Sequence, residues 1–333
     1  MKWVTYRHRG TSQLRAGLLY HHYIVDLPFL LVESEPPLSD SEKTKHLPCS
    51  LLSFIEEQDQ WRNELMSAHE CFSKKDEAEW EMLMKEAPDA IFPYDPALLA
   101  APLPKPSSVR DSYSFEQHVK TARGKRGLDM IDQWYDFPVF YFSNHQAIIG
   151  PEAEVSFPSS SEKWDFELEV AFVIGKPGKN ISREKAFEHV FGLTIMNDWS
   201  ARDIQAEEVK VGLGPAKAKD FATSLGPFIV TPEEWRDRVQ GEQIDLQMEA
   251  YLNGELISTG NLNQLYWSIP QMIERISQDC MLYPGDVIGT GTVGSGCILE
   301  QPDPKWLQPH DVIQLKVERL GVLRNSVNKR GGE

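Results

Sequence analysis

The 333-residue chain has no apolar run of membrane-spanning length, and its opening, Met1-Lys2-Trp3-Val4-Thr5-Tyr6-Arg7, lacks the apolar stretch of a secretory signal. Cysteine is scarce: Cys49, Cys71, Cys280 and Cys297 stand far apart and form no Cys-x-x-Cys pair. That spacing supplies neither a zinc knuckle nor a disulfide framework, so the thiols are read as reduced and the chain as cytoplasmic. Positive charge is the third shortage. Against 50 Asp and Glu there are 34 Lys and Arg, a formal net charge of −16 at pH 7. Nucleic acids and anionic membranes are recognised through a cationic footprint, so neither is expected as a partner. What is present is enough apolar residue, 41% of the chain, to bury a core. The excess carboxylate leaves two readings open: solubility, or carboxylates gathered about a cation.

Hydrophobic patterning divides the chain. Short strands are predicted at 2–7, 16–23 and 24–32, with Gly-Thr-Ser at 10–12 as a turn. A polar stretch, 33–45, follows. Helical spacing then runs over 47–58 and 60–87, where Trp61, Leu65, Ala68, Phe72, Trp80, Leu83, Met84 and Ala87 recur among charges. Residues 92–106 hold five prolines and read as an extended connector between an N-terminal domain, 1–105, and a catalytic domain, 106–325. Beyond it, strands are predicted at 137–142, 167–174, 226–230, 243–252, 286–290 and 312–320. Helices are predicted at 115–122, 183–189, 200–208 and 269–277. Strands outnumber helices and do not alternate with them regularly, which favours a β-rich α+β fold over a doubly wound parallel sheet. The polar tail, 324–333, reads as frayed.

Gly289-Thr-Gly-Thr-Val-Gly294 satisfies G-x-G-x-x-G, but the following Ser-Gly-Cys-Ile-Leu-Glu-Gln-Pro cannot open the helix that a dinucleotide pyrophosphate requires. Other segments carry chemistry. In Glu167-Leu-Glu169-Val-Ala-Phe, strand alternation puts both carboxylates on one face, where they repel unless that face is solvated or a cation sits between them. Asp198 ends an apolar run, 191–196, and leads into a helix with Arg202 and Gln205 on one side; helix capping explains it equally well. Lys219, in a Gly-rich bend, and the pair Tyr113 and His118 are unremarkable taken singly.

In order, Asp111-x-Tyr113-x4-His118, Glu167-x-Glu169, Met196-Asn-Asp198-Trp-Ser-Ala-Arg202-Asp-Ile-Gln205, Leu213-Gly-Pro-x3-Lys219 and Gly289-Thr-Gly-Thr292 resemble the fumarylacetoacetate hydrolase family over residues 110–320. The resemblance implies a mixed β-sandwich roll with a smaller N-terminal domain, a homodimer, and one divalent cation, Mg²⁺, Ca²⁺ or Mn²⁺. It implies Asp111, Glu167, Glu169 and Asp198 as the metal ligands, a hard-oxygen set with no soft donor. It further implies His118, Glu300 and Lys219 as catalytic groups, with Tyr113, Tyr141, Arg202, Gln205 and Thr292 contacting substrate. Arg123 and Arg126 are both eligible as a further substrate-contacting arginine. The family's N-terminal domain is a small barrel, which the strands at 2–32 permit and the charged helical stretch at 60–87 does not resemble.

The expected activity is hydrolysis of a C–C bond in a small anionic 1,3-diketone acid, fumarylacetoacetate or acylpyruvate-like, with His118 activating water and Glu300 orienting it. Arg202, Gln205 and Lys219 would bear on the developing oxyanion. Two alternatives use the same residues: a 2-oxo acid decarboxylase or enol/keto isomerase, and a non-catalytic metal-binding protein.

Overall fold

The structure, a computed structural model, describes residues 1–8, 10–33 and 44–329. Most of the polar stretch expected at 33–45 therefore lies outside the described residues. The strands that build the site are β1 (Lys2–Arg7), β2 (Leu14–Tyr20), β3 (Tyr23–Asp26), β4 (Ile91–Pro93), β5 (Ser108–Ser112), β6 (Phe140–Ser143), β7 (Leu168–Ile174), β8 (Val190–Asn197), β9 (Thr223–Val230) and β10 (Asp286–Gly289). They hydrogen-bond in the order β4-β3-β2-β1-β9-β8-β7-β10-β5-β6, within a twelve-stranded sheet.

The central strands are apolar on both faces because both faces are covered. In β7, Leu168, Val170, Phe172 and Ile174 enter one core while Ala171 and Val173 enter another. The second core is closed by α1 (Leu27–Val32), α2 (Leu51–Ser73) and α3 (Glu77–Glu86). Ser50 and Asp76 start α2 and α3 with reciprocal capping boxes, satisfying N–H groups that the first turn leaves free. On the opposite face lies a five-stranded sheet in the order Glu255–Asn261, Gln247–Leu252, Val312–Val317, Gly321–Lys329, Glu154–Phe157. The result is α+β and strand-rich. Among the described residues no helix is long and apolar enough to cross a membrane.

Three expectations change. The strand expected at 24–32 ends at Asp26; Pro28, which needs no N–H partner and has a helix-compatible φ, opens α1 instead. The frayed tail is not found over 324–329: Gly321–Lys329 is paired on both sides, and Leu323 and Val327 alternate into the core. The connector at 92–106 is extended but not free, since β4 pairs with β3, and Leu99–Ala100 pairs with β1. The N-terminal strands form an antiparallel ladder that continues the large sheet through β1 and β9, with Lys2 opposite Val230 and Trp3 opposite Ile229.

Candidate active site

The site forms where β5, β10 and β7 lie side by side. Gly289 on β10 faces Asp111 on one side and Ala171 on the other, so the carboxylates of Asp111 and Glu169 converge over it. A Cβ at position 289 would stand 2.4 Å from Asp111 Oδ1 and 2.9 Å from Glu169 Oε2, which is why glycine is required there. The next residues fold back over the pair. Gly291, at φ +85°, donates its N–H to Glu169 Oε2 at 3.1 Å, and Thr292 Oγ1 donates to Glu169 Oε1 at 3.2 Å. The glycine-rich segment thus caps carboxylates.

Asp111, Glu167 and Glu169 each offer a carboxylate oxygen within 4.8 Å of the others, all buried. Asp198, at the end of β8, joins them through Lys219, whose Nζ lies 2.5 Å from both Glu167 Oε2 and Asp198 Oδ2. Tyr141 donates its hydroxyl to Asp198 Oδ2 at 2.5 Å. Arg202 opens α5 (Arg202–Glu208) and divides its donors: Nη2 to Glu167 Oε1 at 2.7 Å, Nη1 to Gln205 Oε1 at 2.9 Å, and Nε to Asp165 Oδ2 at 2.7 Å.

Charge is unbalanced in this cluster. Burial pushes Glu167 up, but Lys219 and Arg202 outweigh it and hold the carboxyl well below the usual range. Glu169 has no such partner, so burial, reinforced by Asp111 and Glu167, raises its pKa well above the usual carboxylate value. Asp111 is pushed up to about 8 by burial and the nearby Asp198. Asp111 Oδ1 and Asp198 Oδ1 are buried without hydrogen-bond partners. Orphaned carboxyl oxygens with no thiol or imidazole among them fit a hard divalent cation such as Mg²⁺, Ca²⁺ or Mn²⁺, and a cation there favours the ionised form of every member.

His118 lies on α4 (Glu116–Gly124), buried, with Nδ1 3.1 Å from Glu300 Oε2 and the Tyr113 ring edge-on at 5.4 Å. A cavity of about 380 Å³ is bounded by Tyr113, His118, Tyr141, Gln205, Lys219 and Thr292 together with Asp111, Glu167 and Glu169. Asp198 and Glu300 stand behind this lining. Arg126 borders the cavity, whereas Arg123 donates its Nε to the Asp129 carbonyl at 2.6 Å.

Two residues escaped the sequence reading. Asp165, fully buried, accepts from the backbone N–H groups of Phe166, Ile298 and Leu299 as well as from Arg202. It fixes the turn Ile298–Glu300 to the guanidinium that holds Glu167. The spacing of two that linked Glu167 and Glu169 extends to Asp165 and was the available signal. Cys297, also fully buried, donates its thiol to Glu300 Oε2 at 3.4 Å, and burial pushes its pKa well up.

A strand-rich fold with buried, convergent carboxylates beside a His–Glu pair defines a class of divalent-cation enzymes, and the comparisons with known proteins give that class its family. A family model described as fumarylacetoacetate (FAA) hydrolase C-terminal matches residues 107–328, so the chain belongs to the fumarylacetoacetate hydrolase family. The chain is 36% identical over 190 residues to the human mitochondrial oxaloacetate tautomerase FAHD2A, covering 57% of this chain and 59% of that protein, less than two thirds of its length. To the oxaloacetate tautomerase YisK of Bacillus subtilis it is 32% identical over 234 residues, 69% and 72% of the two chains. The solved fumarylacetoacetate hydrolase of Exiguobacterium antarcticum superposes with a TM-score of 0.69 at 26% identity, covering 99% of this chain and 100% of that one. The maleylpyruvate hydrolase of Sphingobium, solved with manganese and pyruvate, shares the fold at a TM-score of 0.65 and 21% identity, over 99% of this chain and 100% of that one.

Proposed function

We propose that the chain is a metal-dependent hydrolase that cleaves a C–C bond in a small 1,3-diketone acid of the fumarylacetoacetate or acylpyruvate type. The observation that carries this reading is the His118–Glu300 pair, 3.1 Å apart, at the wall of the cavity into which the carboxylates converge. Asp111, Glu167, Glu169 and Asp198 would hold the cation, which as a Lewis acid stabilises negative charge on the diketone oxygens. Lys219 and Arg202 keep Glu167 ionised and aimed. Glu300, facing Nδ1, keeps the imidazole proton there and leaves Nε2 to take a proton from water. The water oxygen bonds to the carbonyl carbon, the C–C electron pair leaves with the methylene carbon as an enolate, and the proton held by His118 returns to that carbon. Arg126, bordering the cavity, suits the substrate carboxylate, and the Gln205 amide N–H, unpaired among the described residues, is free for a substrate oxygen, while Thr292 contacts the substrate from the cavity lining with its proton given to Glu169. A homodimer is the assembly we propose with it.

A second reading, keto–enol tautomerisation of oxaloacetate, is favoured by several relatives that carry that name, the human and Bacillus subtilis proteins among them. It requires a proton carrier and the same oxygens, but no attacking water. One panel separates them. Acylpyruvates and fumarylacetoacetate are followed by loss of diketone absorbance, and oxaloacetate by loss of its enol. His118→Ala is expected to lower diketone cleavage by roughly 10²- to 10⁴-fold. A parent enzyme that equilibrates oxaloacetate and leaves every diketone intact would replace the first reading by the second.

A further inference from the structure

Behind His118 lies a second cluster of ligating atoms with a different chemistry. Cys297 precedes the single turn Ile298–Glu300, so the side chains of Cys297 and Glu300, three residues apart, come together. Cys297 Sγ is 3.4 Å from Glu300 Oε2, His118 Nδ1 is 3.1 Å from the same oxygen, and one ligating atom from each residue lies within 4.8 Å of the others. All three residues are buried. Glu300 Oε1 has no hydrogen-bond partner, and His118 Nδ1, though 3.1 Å from Glu300 Oε2, lacks the alignment of a hydrogen bond. Buried lone pairs and N–H groups left this way are costly, and their convergence with a thiol calls for something that satisfies all three.

The donor set is one nitrogen, one sulfur and one oxygen. A tetrahedral Zn²⁺, with bonds of about 2.0–2.3 Å, sets neighbouring ligand atoms roughly 3.3–3.6 Å apart. The two separations from Glu300 Oε2, 3.1 and 3.4 Å, need only a few tenths of an ångström of adjustment, and the third, between the His118 and Cys297 ligand atoms, lies within 4.8 Å. Hard cations have no preference for a thiolate, so the cluster does not duplicate the carboxylate site. We propose that His118, Cys297 and Glu300 form an inhibitory site for Zn²⁺ or a metal of similar softness, separate from the hard-oxygen site. On binding, the Cys297 S–H bond breaks as sulfur bonds the metal, and the proton passes to water. A second water takes the fourth position. The Nδ1–H bond breaks as well, its proton passing through water to Nε2 while the Nδ1 lone pair bonds the metal; Nε2 can then accept nothing, so occupation removes the base that the proposed hydrolysis needs. The binding itself does not rest on that reading.

The test titrates the full chain, held in excess Mg²⁺, with Co²⁺ as the probe. A thiolate-to-cobalt charge-transfer band is expected to saturate at one equivalent, to persist in Glu169→Gln, and to vanish in Cys297→Ala. Glu300→Gln, which retains the thiol, should shift the titration to higher Co²⁺ and serves if Cys297→Ala does not fold. In a turnover arm, Zn²⁺ inhibits the parent, and Cys297→Ala, measured against its own zinc-free rate, requires roughly tenfold more Zn²⁺ or beyond, since losing even an outer partner of a metal ligand costs 10–100-fold. No band in the parent, or a band undiminished in Cys297→Ala, overturns the site. A protein that shows the band but cleaves no diketone loses the proposed reaction and keeps the metal site.

Discussion

Asp165→Asn alters a single side-chain atom at a point where four donors meet. Oδ1 accepts from Phe166 N–H at 2.9 Å and Ile298 N–H at 2.7 Å; Oδ2 accepts from Leu299 N–H at 3.1 Å and Arg202 Nε–H at 2.7 Å. Burial pushes the Asp165 pKa up and Arg202 pulls it back, but a ring of N–H donors suits only the carboxylate. An asparagine has one oxygen, so whichever way its amide turns, an NH₂ confronts two donors. Breaking a buried ion pair from one side costs about 3–5 kcal/mol. Arg202 keeps Glu167 as a partner, which places the loss near the lower end, about 3 kcal/mol. Against the 5–15 kcal/mol of an ordinary domain, roughly, the variant stays folded. The consequence divides between two readouts because Asp165 holds both halves of the site. Through Arg202 it aims Glu167, so Mn²⁺ affinity should fall by roughly 10–100-fold. Through the turn Ile298–Glu300 it seats Glu300, so turnover at saturating Mn²⁺ should fall as well. Urea unfolding and Mn²⁺ titration measure the first two quantities. A variant with the parent unfolding midpoint and Mn²⁺ affinity would show that Asp165 organises nothing.

Three further outcomes are expected. Chelator should lower the thermal midpoint of the parent, since a cation bound only by the folded chain stabilises it by mass action, and Glu169→Gln should abolish that difference together with activity; full turnover by the metal-free protein would refute the assignment. Gly289→Ala should destabilise by about 1–3 kcal/mol, as overpacked cores do, and weaken Mn²⁺ binding because its methyl displaces Asp111 Oδ1 and Glu169 Oε2; unchanged Mn²⁺ affinity would contradict their convergence over that residue. Sedimentation at micromolar concentration should give a dimer, and a monomer there ends that proposal.

Much of the site was legible because its signals are local. A period of two put Glu167 and Glu169 on one face, and the glycine-rich turn is followed by no α-helix, as its sequence implies. What was not legible depends on contacts between distant segments. Asp165 looks like an ordinary acidic residue until the backbone of 298–299, more than a hundred residues away, arrives to donate to it. Arg202 looked free to meet substrate; three of its nitrogens are instead engaged by Asp165, Glu167 and Gln205. Pro28 opens a helix directly after a run of β-branched and aromatic residues that by itself reads as strand. The tail strand is hard to read because Asn325, polar, sits inward between Leu323 and Val327 while Val322 faces out, and the alternation shows only once a partner strand lies alongside.

The seam between β1 and β9 has a consequence for how the molecule can be divided. The family match begins at residue 107, yet β9 finds part of its backbone pairing in the first strand of the chain, and β8, which ends beside Asp198, is the neighbour on its other side. A protein beginning at 107 would bare a length of unpaired N–H and C=O groups on β9 and strip the helices from Ala171, Val173 and Ile229. An open edge beside an uncovered apolar face is a template for joining another chain. Limited proteolysis that removed the first hundred residues should therefore yield aggregates, and relatives with a different leading segment must cover this edge by other means.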